Sequence, residues 1–220
     1  IRNDMHILLT RPLEDCSALA LKFKSLGHKI SHLPLLNIEK INYDKINFSE
    51  FGGIIFTSAN AVKYLVLKNI DKKIKCFCVG NVTEKKARDL GFQNTVAAEG
   101  NVSNLKELIL RTYDTKNKKL IYVSGEAVSV DLDHQLALEG FIVKRIVNYR
   151  AKYNQKFDEK FIIKLRENIP DIVYVYSQNS ASSFLNFIKI YQTETLWMNT
   201  NLMCIGCLLY TSDAADELTS

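Results

Sequence analysis

Ile54-Ile55-Phe56-Thr57-Ser58-Ala59-Asn60-Ala61-Val62 reads as a buried strand, a polar corner and the first turn of a helix. About 120 residues further on, Val173-Tyr174-Val175-Tyr176-Ser177-Gln178-Asn179-Ser180-Ala181 repeats that order, with Ser and Asn two residues apart at both corners. In each copy a continuous apolar run gives way to Ser-x-Asn and then to helical spacing. The apolar positions are Val62, Leu65 and Val66 in the first copy, and Phe184, Leu185 and Ile188 in the second. Two strand-to-helix corners of one design predict a duplicated fold.

The corners have a physical use beyond ending a strand. Ser and Asn cap helices because their side-chain oxygens accept from the free first N–H groups. The N–H groups left over, with the positive end of the helix dipole, suit a carboxylate or a phosphate. Capping alone accounts for either Ser58 or Ser177 taken singly, and a matched pair strengthens the anion-site reading without settling it.

The flanking sequence extends the repeat in both directions. Met5 to Thr10 is an apolar strand, followed by a helix carrying Leu19, Leu21, Phe23 and Leu26 that ends at Gly27, and by a strand from Ile30 to Leu36. Leu120 to Ser124, a helix through Leu132, Leu136 and Leu138, and the strand Phe141 to Val147 follow the same layout, with Asn148 to Ala151 continuing as an extended segment. A third strand from Lys75 ends at Gly80 before a helix over 84–90, and Leu202 to Gly206 parallels it in the second half. Between them lie a short strand over 95–97, a helix over 102–113 with Leu105, Leu108 and Ile109 on one face, and a helix over 154–167 with Phe157, Phe161 and Leu165 on its core face. Residues 37–50 are polar and form a crossing. Alternating β and α elements predict parallel sheets covered by helices on both faces.

In such sheets ligands bind outside the carboxyl ends of the strands. Every polar corner of the chain lies there: Thr10-Arg11, Thr57 to Asn60, Gly80 to Thr83, Ser124-Gly125 and Ser177 to Asn179. If the two sheets face one another, these corners line a cleft. No Gly-x-Gly-x-x-Gly follows a strand, no phosphate loop ends in Gly-Lys-Ser/Thr, and no Gly-x-Ser-x-Gly elbow is present, which argues against dinucleotide, nucleotide and serine-hydrolase readings.

The 220 residues, 47% hydrophobic and 24% charged, suffice for one large or two small domains with an ordinary core. No apolar run reaches the length of a membrane helix and no secretory signal pattern opens the chain, so a cytoplasmic location is expected. Ile1 to Asp4 precede Met5 and read as lying upstream of the natural start. The odd count of five cysteines, Cys16, Cys76, Cys78, Cys204 and Cys207, shows no disulfide rhythm and suggests buried reduced thiols. Cys76-x-Cys78 lacks zinc-knuckle spacing, and His28 and His32 flank a strand, so no metal site is expected. All 29 basic residues precede Cys204, and setting aside the three acids of the tail leaves 21 acidic residues and a net charge of +8. A positive body draws anionic partners. The lysines are scattered along helix faces, which makes nucleic acid a weak second reading.

Five stretches bear a resemblance. Leu9-Thr10-Arg11-Pro12, Phe56 to Val62, Val79-Gly80-Asn81-Val82-Thr83, Val147-Asn148-Tyr149-Arg150 and Tyr176-Ser177-Gln178-Asn179-Ser180 stand in an order and spacing similar to those of uroporphyrinogen-III synthases, over residues 5 to about 206. The resemblance implies two flavodoxin-like α/β domains joined by two connecting strands. It assigns residues 1–37 and 151–220 to a discontinuous first domain and 38–150 to the second. It implies cyclisation of hydroxymethylbilane to uroporphyrinogen III, with loss of water, inversion of the last pyrrole ring and no cofactor, by a monomer that takes a small-molecule substrate and neither nucleic acid nor membrane.

A basic body and several anion corners agree with a substrate bearing many carboxylates, each charge-assisted hydrogen bond contributing roughly 1.5–3 kcal/mol. By resemblance Tyr149 is the catalytic side chain, a phenol able to donate to the departing hydroxyl; the competing reading is an aromatic packed at the domain connection. Arg11, Thr57, Ser58, Ala59, Asn60, Gly80, Thr83, Ser124, Gly125, Ser177, Gln178 and Asn179 are the expected substrate contacts. Arg11 either grips a carboxylate in a two-pronged bond or lies in solvent. Cys207 to Ser220 is short, acidic and free of lysine, and it departs from the family pattern as a truncated or foreign end would. The alternative function is a two-domain module that binds a small carboxylate or phosphate without chemistry.

Overall fold

The computed structural model describes residues 4–11, 13–176 and 178–204. In chain order the elements are β1 (His6–Leu9), α1 (Leu13–Ser25), β2 (Lys29–His32), β3 (Leu36–Lys40), β4 (Phe51–Phe56), α2 (Ala59–Lys63), β5 (Lys75–Val79), α3 (Gly80–Asp89) and β6 (Asn94–Ala98). There follow α4 (Val102–Thr112), β7 (Lys119–Gly125), α5 (Leu132–Leu138), β8 (Val143–Tyr153), α6 (Glu159–Glu167), β9 (Ile172–Val175), α7 (Gln178–Ile190) and β10 (Asn201–Cys204). The chain divides into two compact units, Ile1–Asn37 with Lys152–Ser220, and Ile38–Ala151.

The first unit holds a four-stranded sheet in the order β2-β1-β9-β10, parallel throughout. The second holds five parallel strands in the order β8-β7-β4-β5-β6, with β3 added beside β8. Ile41 N–H donates to the Asn148 carbonyl and Asn154 N–H to the Leu35 carbonyl, both at 2.9 Å. Those pairs run in opposite senses, so β3 is antiparallel to β8. Counted from β7 and continued at β4, the second sheet has strand order 2-1-3-4-5, and the first has 2-1-3-4. Both are flavodoxin-like orders. The repeat read at Ile54 and Val173 is therefore a repeat in space: β4 lies against β7 as β9 lies against β1.

The central strands β1, β4, β5, β7 and β9 are covered on both faces, which is why they read as largely apolar runs. Along β4, β5 and β7, Ile54, Phe56, Cys76, Cys78, Ile121 and Val123 pack on one face, and Ile55, Phe77, Leu120 and Tyr122 on the other. In the first unit Leu8, Val173 and Val175 face one way, Ile7 and Leu9 the other. The alternation is the two-residue period of a strand applied to two cores at once.

Several boundaries differ from the sequence expectation for local reasons. The first corner's helix stops at Lys63, because Val66 N–H turns out to the Tyr43 hydroxyl at 2.8 Å, leaving Val66 exposed. α6 begins only at Glu159, where the Asp158 carboxylate accepts from Lys160 N–H. Before it, Asn154 is extended and donates its side-chain amide to the Pro34 carbonyl at 2.6 Å. α3 starts at Gly80 rather than at residue 84. β8 is a single strand of 11 residues, and β3 occupies the start of the polar crossing. Among the described side chains of α1 the buried ones are Cys16 and Ala20, whereas Leu21 and, beyond the helix, Leu26 are 67% and 62% exposed. Leu21 falls off the i, i+4 row that faces the sheet, and Leu26 lies beyond the helix end.

Candidate active site at the strand ends

In the second unit the chain reverses direction across the sheet between β7 and β4, the place where a doubly wound sheet opens a crevice at its carboxyl edge. Thr57 leaves β4 at this edge, and its Oγ1 lies 3.1 Å from the hydroxyl of Tyr122 on β7. Burial raises the pKa of Tyr122, with the Thr57 hydrogen bond acting against it. Ser58 caps α2, its Oγ accepting from Asn60 N–H at 3.1 Å. Ala59 and Asn60 form the first turn of that five-residue helix and are half-buried. So short a helix adds little dipole, and Ser58 already takes up one of its free N–H groups.

The neighbouring corner is more open. Gly80 begins α3 with φ +73°, a conformation that L side chains avoid, and no side chain caps this ten-residue helix. Its first N–H groups are therefore available to an anion. Thr83, one turn in, is buried and offers a ligand only indirect support.

Tyr149 stands on the far side of β7. Between the pairs Ser124–Val147 and Gly125–Tyr149 the register shifts by one residue, leaving Asn148 as a bulge. Asn148 is fully buried, and its Nδ2 donates to the Ala61 carbonyl at 2.7 Å, tying β8 to α2. The bulge turns the half-buried Tyr149 ring onto Gly125, where an added Cβ would lie 2.7 Å from Cζ and 2.9 Å from the phenol oxygen. Gly125 is thus the floor on which the phenol rests. Ser124 is fully buried, and its hydroxyl accepts from Arg145 Nε at 2.8 Å instead of facing solvent.

The first unit presents a counterpart at the end of β1 and β9. Thr10 Oγ1 donates to the Tyr174 carbonyl at 2.5 Å, bridging the strands where Thr57 and Tyr122 bridge them in the second unit. Arg11 is exposed, and its guanidinium lies 4.6 Å from the centroid of the Tyr176 ring in a cation–π contact. The Arg11 carbonyl accepts from the His32 imidazole. Tyr176 donates its N–H to Ser180 Oγ at 2.9 Å, and burial, helped by Cys16 and opposed by Arg11, pushes its phenol up to about 12. Ser177 lies outside the described residues, as do the side chains of Gln178 and Asn179 at the start of α7.

Three residues that shape these edges, Tyr122, Arg145 and Asn148, were not singled out as site residues by the sequence reading. Tyr122 lies within the apolar run of β7, but β8 also carries Lys144, Arg150 and Lys152, so nothing in the local sequence marks Arg145 or Asn148. Cys76 and Cys78 are buried on one face of β5, where burial raises both thiols, that of Cys78 to about 12. Among the described residues no three His, Cys, Asp or Glu side chains are grouped as a metal ion would need, and no helix is long and apolar enough to cross a membrane.

A family profile described as uroporphyrinogen-III synthase HemD matches residues 17–218. The chain belongs to the uroporphyrinogen-III synthase family. The matched span takes in most of the segment after Gly206 that the sequence reading set apart from the family pattern. A porphyrin biosynthesis protein HemD from Ruminiclostridium josui is 23% identical over 216 residues, which cover 91% of this chain and 42% of that protein. The chain thus spans well under half the length of this curated relative. The crystal structure of uroporphyrinogen-III synthetase from Helicobacter pylori is 18% identical, over 90% of this chain and 92% of that one, with a TM-score of 0.56. A mutant uroporphyrinogen III synthase from Thermus thermophilus is 16% identical, over 97% and 88%, with a TM-score of 0.52. At these identities the two structures speak to the fold. All five motifs that resembled the uroporphyrinogen-III synthase family lie at strand ends or on the connecting strand β8.

Proposed function

We propose that this chain cyclises the linear tetrapyrrole hydroxymethylbilane to uroporphyrinogen III, and that its two compact units are the two domains of the enzyme. The observation that carries the reading is the placement of Tyr149, whose ring is seated on Gly125 by a bulge at Asn148, in a chain of the uroporphyrinogen-III synthase family. The phenol donates its proton to the substrate hydroxyl, the carbon–oxygen bond breaks, water leaves and a cation remains on the methylene. For the inverted isomer the cation first bonds to the already bridged α-carbon of the last ring, the bond from that carbon to its other bridging methylene breaks, and the methylene so freed bonds to the open α-carbon of the same ring, whose departing proton restores the phenol. Selectivity for the inverted isomer comes from holding the chain folded so that the correct carbon meets the cation, a proximity effect.

The substrate's carboxylates are met by the open N–H groups at Gly80, by the corner Thr57 to Asn60, by the exposed Arg11, and by Ser177, Gln178 and Asn179. Gly125 contributes the surface beneath the phenol, while Ser124 and Thr83 act from within the fold. The positive charge of the chain raises the local concentration of such a substrate. No cofactor is called for, and the enzyme works as a cytoplasmic monomer.

The test is the isomer ratio of uroporphyrinogen formed from hydroxymethylbilane with and without the chain. Excess isomer III is expected, and Tyr149→Phe is expected to lower turnover by about 10²–10⁴-fold while changing substrate binding little. Only isomer I, with hydroxymethylbilane still bound, would favour the two-domain binding module instead.

A further inference from the structure

We propose that Arg145, which the family likeness does not single out, is a positioning residue for Tyr149; the inference rests on the reading of Tyr149 as the proton donor. Arg145 sits on β8 opposite Tyr122 of β7, between Lys144 and Ile146. Its guanidinium reaches across the end of β7 and donates three hydrogen bonds: Nε to Ser124 Oγ at 2.8 Å, and one terminal nitrogen to the Gly125 carbonyl at 3.0 Å and the Glu126 carbonyl at 3.2 Å. A planar fork of donors is what such a divided task requires, since three acceptors spread over three residues are met without rearrangement.

The consequence for Tyr149 follows from the planarity of one peptide. The Gly125 carbonyl and the Glu126 N–H belong to the same peptide unit and point in opposite directions. Arg145 holds the carbonyl side, and the Glu126 N–H donates to the Tyr149 carbonyl at 2.9 Å. That peptide is therefore clamped at both ends. The Cα of Gly125, one bond away, is the surface against which the Tyr149 ring lies. With the guanidinium removed, the Glu126 carbonyl loses its donor and the Gly125 carbonyl keeps only the Ser124 hydroxyl, at 3.0 Å, so the peptide is freer to turn toward water. The turn pulls the Glu126 N–H off Tyr149 and tilts the floor under the phenol. A change of orientation at this position alters turnover without altering the groups that grip carboxylates, because a reacting proton donor tolerates little misplacement.

Two measurements on the full chain test the proposal. The first is hydrogen exchange at the Glu126 amide, which requires no activity. Arg145→Met is expected to speed it by about ten- to a hundredfold, Arg145→Lys by less, while Leu105 and Ile109 in α4 exchange as before. Unchanged exchange at Glu126 in both variants overturns the clamp. The second is a double-mutant cycle with Tyr149→Phe. Arg145→Met is expected to lower kcat by about ten- to a hundredfold with KM nearly constant in the native background, and by less than about twofold when Tyr149 is already Phe. An equal loss in both backgrounds would show that Arg145 acts by some route other than the phenol, and the proposal would fail. If Tyr149→Phe alone retains full turnover, the proton-donor reading is what falls; the clamp is then judged by exchange at Glu126.

Discussion

A Cβ at residue 125 would lie 2.7 Å from Cζ of Tyr149, closer than such atoms approach, and the ring could only move away from the strand end. Gly125→Ala is accordingly expected to cost about 1–3 kcal/mol of stability from overpacking. It should also lower the rate of uroporphyrinogen III formation more than it raises KM, as read from denaturant midpoints and steady-state rates on one preparation. An alanine variant that matches the native chain in both would mean that the ring does not rest there. His6 supports a second prediction at this scale. It is 7% exposed, its Nε2 is 2.7 Å from Ser31 Oγ, and burial, with the charge of Lys29 second, lowers its pKa against weaker raising effects from the Ile169 and Asn168 backbone and then Asp171. Above about pH 6.5 the ring is neutral in folded and unfolded chains alike, and its contribution is fully present. As pH falls below that value the unfolded chain takes up the proton first, so stability declines toward the folded pKa. His6→Gln should flatten this part of a plot of urea midpoint against pH; an unchanged slope would assign the decline to other groups. Tyr149 stands out in the sequence only through the family resemblance of the stretch around it. Asn148 lies in that same stretch without a role and Arg145 outside it, because their partners are fixed by a strand register and a bulge that no local pattern announces.

At the level of elements, α4 shows a terminus built by reciprocal side-chain bonds. Asn101 accepts from Asn104 N–H and the Asn104 side chain accepts from Asn101 N–H, both at 3.2 Å. Together they satisfy two of the donors that a helix start leaves open. Asn101→Ala is expected to cost about 0.5–2 kcal/mol in a urea titration without changing its slope. A steeper or shallower slope would point to a change beyond the cap. The apolar spacing that predicted α4 was reliable, since Leu105 and Ile109 are fully buried. Spacing failed at α2 and α6, where competition decides the boundary. The hydroxyl of Tyr43 captures the chain at Val66, and the bonds of Asn154 to the Pro34 and Leu35 carbonyls keep it out of the helix, which starts only after Asp158. Both competitors lie at least 23 residues away along the chain, outside any helical window.

Across the whole molecule, the duplication was legible because strand-to-helix corners repeat in composition. The strand order was not, because it depends on which end of the chain supplies each neighbour. In the sheet of the first unit β1 takes β2 on one side and β9 on the other, so strands from both ends of the sequence must meet. The second unit draws on Ile38–Ala151 alone, about 114 residues, which lies within the common range for a domain. Two buried clusters belong to it entirely, one around Ile54, Phe56, Cys76 and Ile121 and one around Ile55, Phe77, Leu105 and Tyr122. A fragment of residues 38–151 is therefore expected to fold by itself and to unfold in one cooperative transition, with circular dichroism and fluorescence midpoints coinciding. A fragment of residues 1–37 holds β1 and β2 but neither β9 nor its core partners Val173 and Val175, and should show no transition alone. Since β1 is a central strand whose two neighbours come from opposite ends of the chain, the first unit should lose its structure whenever either end is cut away. If residues 38–151 instead melt without cooperativity, the second sheet depends on the rest of the chain, and the division into two independent folding units would have to be abandoned.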